Sequence, residues 1–275
     1  MKMRILLLAT VALLLTYSSP AGAATFFIDQ FNYPDGELTI NDGTGDNVSG
    51  GLWAPHSGET FDDNIEVVSG QAELLNSGSE DANRDTGTFN SAGSTWYYGA
   101  QITVNDRRAD PASESINNDY FMHFWGPSFA FRGRAYLDDP NVADPNKYTL
   151  GLSATSGGQV AKWGSDLDFG QEYTIMVSFE FDTGESNLWV DPVDINSPSI
   201  TDTNAGAIGS FVSALAMRQD FIGGTPNNQV LVDTVAIGDN FDDVLQGAII
   251  PEPTSLVLGF AGLIGLVSMR RSRSC

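Results

Sequence analysis

The sequence predicts an all-β fold, a two-sheet antiparallel sandwich, and three observations carry that prediction. Apolar and polar residues alternate with a period of two in several runs. Turn formers separate those runs, with 29 Gly among abundant Asn, Asp, Ser and Thr. Bulky strand-compatible residues, 16 Phe and 5 Trp, are available to fill the space between two sheets, and no stretch sustains a helical period.

The chain opens with Lys2 and Arg4 before an apolar run from Ile5 to Leu15, and Ala21-Gly22-Ala23 supplies a small-x-small cleavage site. Residues 1–23 therefore read as a secretory signal peptide. Phe26 to Phe31 is the first expected strand, followed by Ile65 to Val68 and Gln71 to Leu75 across a Ser69-Gly70 turn. A long run then puts Trp96, Tyr98, Ala100, Ile102 and Val104 on one face, with Tyr97, Gly99, Gln101 and Thr103 on the other. Shorter strands are expected at Tyr120 to Trp125, Phe129 to Arg134, Tyr148 to Leu152 and Val160 to Trp163.

The clearest alternation sends Tyr173, Ile175, Val177, Phe179 and Phe181 one way and Thr174, Met176, Ser178 and Glu180 the other. Asp182-Thr183-Gly184 turns the chain, and Asn187 to Val190 returns as the hairpin partner before Pro192 ends it. Ala205 to Arg218, with Phe211, Leu215 and Met217, fits either a strand or a short helix and is read as strand; Val230 to Ile237 closes the set. Residues 24–246 are thus expected to form one domain, with 247–275 a linker and terminal segment.

Charge narrows the partners. Of 13 Lys+Arg, five lie in the two end segments, leaving eight against 35 Asp+Glu. A surface this acidic repels nucleic acid and anionic lipid and favours cations or neutral partners. The single cysteine, Cys275, allows neither an internal disulfide nor a thiolate metal site, so stability has to come from packing.

The tail reads Ile250-Pro251-Glu252-Pro253, then an apolar run from Leu256 to Met269, then Arg270, Arg271 and Arg273. The prolines keep the strip before the run extended and accessible. As a helix the run spans about 21 Å against a hydrocarbon core of roughly 30 Å, and the arginines would stay on the cytoplasmic side. This order of parts resembles the PEP-CTERM sorting signal. The resemblance implies recognition by an exosortase-type processing enzyme, a transient anchor in the cytoplasmic membrane, and delivery of the domain to the cell surface or beyond. An ordinary C-terminal anchor is the alternative, and it places the domain outside as well.

A second resemblance is spread across residues 25–245. The opening Asp29-Gln30-Phe31-Asn32-Tyr33-Pro34-Asp35-Gly36, the central Leu188-Trp189-Val190-Asp191-Pro192 and the closing Val232-Asp233-Thr234-Val235-Ala236-Ile237-Gly238 look like laminin-G or concanavalin-like jelly-roll domains. That resemblance implies two curved antiparallel sheets, adjacent first and last strands, and a role in carbohydrate binding.

Chemistry is sparser. Glu180-Phe-Asp182-Thr-Gly-Glu185 resembles the catalytic strand of jelly-roll glycoside hydrolases, which need two carboxyls on one face. Glu180 and Asp182 share that parity, whereas the turn sends Glu185 to the opposing strand. An acidic, solvent-facing hairpin is the competing and preferred reading. Gly151-Leu-Ser153-Ala-Thr155 lacks the last glycine of a nucleophile elbow. His56 falls in a turn-rich segment, and His123 shares parity with Phe121 and Trp125, so each reads as a loop or hydrogen-bonded core histidine.

Calcium suits this composition better than zinc, because oxygen ligands cluster at Asp42 and Asp46, at Asp62-Asp63-Asn64, at Asp138-Asp139 with Asp144, and at Asp239-Asn240 with Asp242-Asp243. Solvation of the surface explains the same clusters. Trp53, Trp125 and Trp163, close to turns, are the candidates for stacking on sugar rings. Arg132 and Arg134 share a strand face and are read as neutralising local carboxylates. The reading adopted is a secreted, surface-sorted, non-catalytic sandwich of the extracellular matrix, with calcium-assisted polysaccharide binding as its candidate activity. A jelly-roll glycoside hydrolase using Glu180 and Asp182, and a self-associating surface protein, stand as alternatives.

Overall fold

The computed structural model of the protein describes residues 25–39, 47–57, 64–75, 78–90, 93–111, 114–116, 119–126, 130–155, 157–208, 211–219 and 228–249. The signal segment 1–23 and the sorting residues Pro251, Glu252, Pro253, Arg270, Arg271 and Arg273 lie outside the described residues. The early strands are β1 (Thr25–Asp29), β2 (Gly36–Glu37), β3 (Ala54–Ser57), β4 (Glu66–Val68), β5 (Gln71–Leu75), β6 (Asp81–Asn90) and β7 (Thr95–Asp106). The middle of the chain adds β8 (Asp119–Trp125), β9 (Arg132–Asp138), β10 (Lys147–Ser153), β11 (Ala161–Lys162) and β12 (Leu167–Asp168). Then come β13 (Glu172–Glu180), β14 (Glu185–Val190), β15 (Ser199–Thr203), β16 (Val212–Arg218), β17 (Asn228–Gly238) and one helix, α1 (Phe241–Ala248).

Two sheets result. The first runs β15-β14-β13-β7-β17-β5-β4-β2, with β1 also on β17, and the second runs β11-β10-β9-β8-β16-β6-β3, with β12 on β10. Neighbouring strands are antiparallel wherever a pairing is described. The expected sandwich is present. First and last strands are adjacent, as the jelly-roll resemblance implied, because β1 pairs with β17 from Thr25↔Gly238 to Asp29↔Val235.

Alternation builds the core. Trp96, Tyr98, Ala100, Ile102 and Val104 of β7 and Tyr173, Ile175, Val177 and Phe179 of β13 all face the second sheet and are buried in one cluster. Leu215 and Met217 of β16, Ala135 and Leu137 of β9, and Leu150 and Leu152 of β10 face them from the other side. The Tyr98 hydroxyl donates to the Gly133 carbonyl at 2.9 Å, so this buried phenol ties the layers together without an unpaired polar atom.

The structure differs from the expectation in several places. Strands β2, β3, β6, β12 and β15 went unpredicted, since none carries an apolar alternation, and β9 runs Arg132–Asp138 where Phe129 to Arg134 was expected. The ambiguous stretch splits into a 3-10 turn at Ala205–Ala207 and the strand β16. Helix α1 is short, capped by the Asn240 side chain, which accepts from Asp243 N, and it crosses the boundary expected at 246. Among the described residues no helix is long and apolar enough to cross a membrane.

Helix α1 covers the outer face of the first sheet. Phe241, Val244, Leu245 and Ala248, at helical spacing, pack on Met176, Trp189, Ala236 and Tyr97. Gly99 permits the close approach: a Cβ there would sit 2.6 Å from Met176 Sδ and 3.0 Å from Ala248 Cβ. Gly99→Val is expected to lift the helix and cost about 1–3 kcal/mol. Hydrogen exchange would read it as lost protection confined to α1, and unchanged protection there would refute the packing argument.

Candidate functional site

The unusual surface is the outer face of the second sheet. A face turned away from the core is ordinarily solvated, yet here it is largely buried and carries ionic and aromatic groups. Ala135 and Leu137 point inward, so Arg134 and Tyr136 point outward from β9. Leu215 and Met217 point inward, so Ala214, Ala216 and Arg218 point outward from β16. Register shifts along β8 admit Phe121, Met122 and Phe124 to the core. Tyr120, His123 and Trp125 turn outward beside them, where Asp81 of β6 and His56 of β3 join the group.

Tyr120 is the centre. Two guanidinium groups lie over its ring, with Arg134 Cζ 4.1 Å and Arg218 Cζ 4.4 Å from the ring centre. Arg218 is fixed by Asp119 at 2.8 Å and approaches Asp81 at 3.9 Å. Burial works against its charge, but the Asp119 carboxylate outweighs it and raises the Arg218 pKa above the ordinary value. Arg134 Nε donates to Thr155 O at 2.9 Å, and both Arg134 Nη2 and the Tyr136 hydroxyl donate to Gly157 O. Arg134 thus meets carbonyls and aromatic faces, rather than the carboxylates expected of it.

The two histidines meet here. Their ring centres are 6.2 Å apart, His56 lies 5.7 Å from Trp125, and His123 lies 4.4 Å from Phe131. Burial pushes His56 down to about 4. Burial, then the charge of His56, Arg134 and Arg218, holds His123 well below its ordinary range. Both rings are therefore neutral near pH 7. Neither was the loop or hydrogen-bonded core histidine expected from sequence, because both nitrogens of each, and Trp125 Nε1, are buried with no hydrogen-bond partner among the described residues. His56 Nε2 comes no nearer than 3.8 Å to Asp81. Buried donors and acceptors left unpaired are costly, of order 1–3 kcal/mol each; of the three rings His123 is fully enclosed and Trp125 is half-buried.

Of the tryptophans singled out in the sequence, only Trp125 belongs to this face. Trp53 is 1% exposed, its Nε1 donates to Asp29 Oδ2 at 2.8 Å, and its ring stacks on Phe31, so it has no face for a ligand. Trp163 packs against the edge of the core. Glu180 accepts from Thr183 at 2.8 Å and sits opposite Glu185, while exposed Asp182 accepts from Gly93 N at 2.8 Å, all on the first sheet. Asp62 and Asp63 lie outside the described residues. Asp242 occupies the first turn of α1, where a carboxylate complements the helix dipole, and Asp239 precedes the cap. Among the described residues no three His, Cys, Asp or Glu side chains converge as a metal site would require.

Tyr120, Tyr136, Arg218, Asp81 and Asp119 were not singled out in the sequence. Arg134-Ala-Tyr136 does alternate, but alternation cannot say that its polar face will be covered.

Comparison with family models and with curated proteins finds no match. Among solved structures, the chain is similar to peanut lectin, with a TM-score of 0.47 and 11% identity over 80% of this chain and 98% of that one. It is similar to alginate lyase A1-II′, a member of polysaccharide lyase family-7, with a TM-score of 0.47 and 11% identity over 78% and 97% of the two chains. The Emp47p carbohydrate recognition domain follows with a TM-score of 0.44 and 10% identity over 81% and 99%. Similarity of this degree assigns neither ligand nor activity.

Proposed function

We propose that the protein is an exported, non-catalytic β-sandwich that binds polysaccharide through the outer face of its second sheet. One observation carries the reading: Trp125 is only half-buried and its ring sits 5.7 Å from His56 on a sheet face crowded with aromatic rings. Sugars present the matching chemistry, apolar C–H faces for rings and hydroxyls that both donate and accept. The net charge of −22 favours a neutral glycan over an anionic one. The signal peptide and the PEP-CTERM-like tail supply the address, with an exosortase-type enzyme as processing partner and the membrane as transient anchor. Calcium is assigned no ligands and enters as a variable of the test.

The test is binding of the full-length protein, in a non-glycosidic detergent, to a panel of neutral and uronic polysaccharides, with and without calcium. Trp125→Ala is expected to weaken binding tenfold or more, about 1.4 kcal/mol, while Glu180→Gln and Asp182→Asn leave it unchanged. Absence of binding overturns the reading. Release of reducing ends that stops in the Glu180→Gln variant would put the hydrolase in its place, and loss of binding on chelation would add calcium to the site.

A further inference from the structure

A cavity of about 380 Å³ opens between the end of β1 and β6, and its lining includes Ile28, Asp29, Gln30, Tyr33, Leu52 and Arg84. It is separate from the face described above, because Arg84 leaves β6 toward the first sheet, opposite Leu215 in register, whereas Asp81 leaves it outward. Its volume is at the small end of the range for ligand sites, roughly 300–1,000 Å³.

The floor is rigid and neutral. Asp29, 6% exposed, accepts from Phe31 N at 2.9 Å, the Tyr33 hydroxyl at 2.7 Å and Trp53 Nε1 at 2.8 Å, and pairs with Arg84 Nη1. Oδ2 takes three of these donors and Oδ1 one, so most of its acceptor capacity is committed. The Arg84 guanidinium also lies over Phe27 at 4.2 Å, yet its Nε and Nη2 donate to no described residue. That leaves a planar edge with parallel N–H groups on a side chain that lines the cavity. Tyr33 spends its proton on Asp29 and keeps an oxygen lone pair to offer.

The walls are of the opposite character. Ile28 is 39% exposed and Leu52 is 50% exposed, two large aliphatic groups on the rim of an acidic protein. The backbone between is held in an uncommon shape. Phe31 has φ +49°, and Tyr33 N closes on Phe31 O at 2.6 Å, which folds the Tyr33 ring back over Asp29. A bulky residue in the left-handed region costs about 1–2 kcal/mol, and here the stacking of Phe31 on Trp53 holds it there.

We propose that this cavity binds one pyranose unit of a neutral glycan. Vicinal hydroxyls of the ring accept from the free Arg84 edge, a third hydroxyl donates to Tyr33 Oη, and the C–H face rests on Ile28 and Leu52. A neutral ligand fits better than a uronate or sulfate, since Asp29 cancels the charge of Arg84 and the protein as a whole repels anions.

The test uses saturation-transfer NMR on the full-length protein with cellotetraose, laminaritetraose, mannotetraose and trigalacturonate. At least one neutral tetrasaccharide is expected to bind. Arg84→Lys keeps the ion pair but removes the planar edge, and Leu52→Asp alters a half-exposed wall without touching the floor; each is expected to weaken that binding tenfold or more. Circular dichroism checks that both variants fold, and Leu52→Asp decides the matter if Arg84→Lys does not. Trp125→Ala separates the two sites. Binding lost in Leu52→Asp but kept in Trp125→Ala supports this cavity even if the sheet-face reading fails, and the reverse pattern overturns it. No neutral binding, or binding of trigalacturonate alone, also overturns it.

Discussion

Asp29→Ala is expected to lower the free energy of unfolding by about 3–5 kcal/mol, the size associated with removing one partner of a buried ion pair. The carboxylate is where the first strand is fastened to the rest of the sandwich. It receives the Arg84 guanidinium, the Trp53 indole N–H, the Tyr33 hydroxyl and the Phe31 amide. Truncation leaves Arg84, whose side chain is 15% exposed, without its counter-charge and the fully enclosed Trp53 N–H without an acceptor. Asp29→Asn is expected to fall between, because an amide oxygen still accepts two of these bonds but supplies no charge. Urea unfolding followed by tryptophan fluorescence measures both variants. For a domain of this size the Ala variant should melt roughly 10 °C lower. A cost below about 1 kcal/mol would mean that the strand is held by β17 pairing alone and that the hub is ornamental.

Asp29 also marks the border of what the sequence can say. The Asp-x-Phe-x-Tyr opening was legible as a jelly-roll-like start, and adjacency of first and last strands followed from it. Trp53, twenty-four residues on, looked like a loop tryptophan because the turns around it are polar, and its burial depends on a long-range acceptor that no local pattern encodes. The period-two runs were reliable where one face is the core, as in β7 and β13. They were silent for β6, whose partners β16 and β3 supply the packing that its own residues lack. The candidate site suffered most. Tyr120, His123 and Trp125 share a strand interrupted by register shifts, so parity counted along the chain misassigns Phe121 to their face. His56 arrives from a four-residue strand that carries no alternation at all.

The two histidines make the protein acid-sensitive in a defined window. Both have folded-state pKa values depressed by burial, so the unfolded chain binds protons that the folded chain refuses. Their contribution is complete above the unfolded value near 6.5 and is lost as pH falls, until the folded value is passed. For His56 that window runs from about 6.5 down to about 4, and the linkage amounts to roughly 3 kcal/mol by its lower end. His123, wholly buried and facing Arg134 and Arg218, extends the loss in the same direction. Urea midpoints of the wild type and of His56→Gln/His123→Gln, measured from pH 7.5 to pH 4, isolate this effect from carboxylates, which titrate in both. The wild-type curve should fall more steeply below pH 6.5, and parallel curves would show that neither ring is held neutral. The polysaccharide binding proposed for the sheet face should weaken over the same window, because a protonated imidazole forces apart a cluster already holding two arginines.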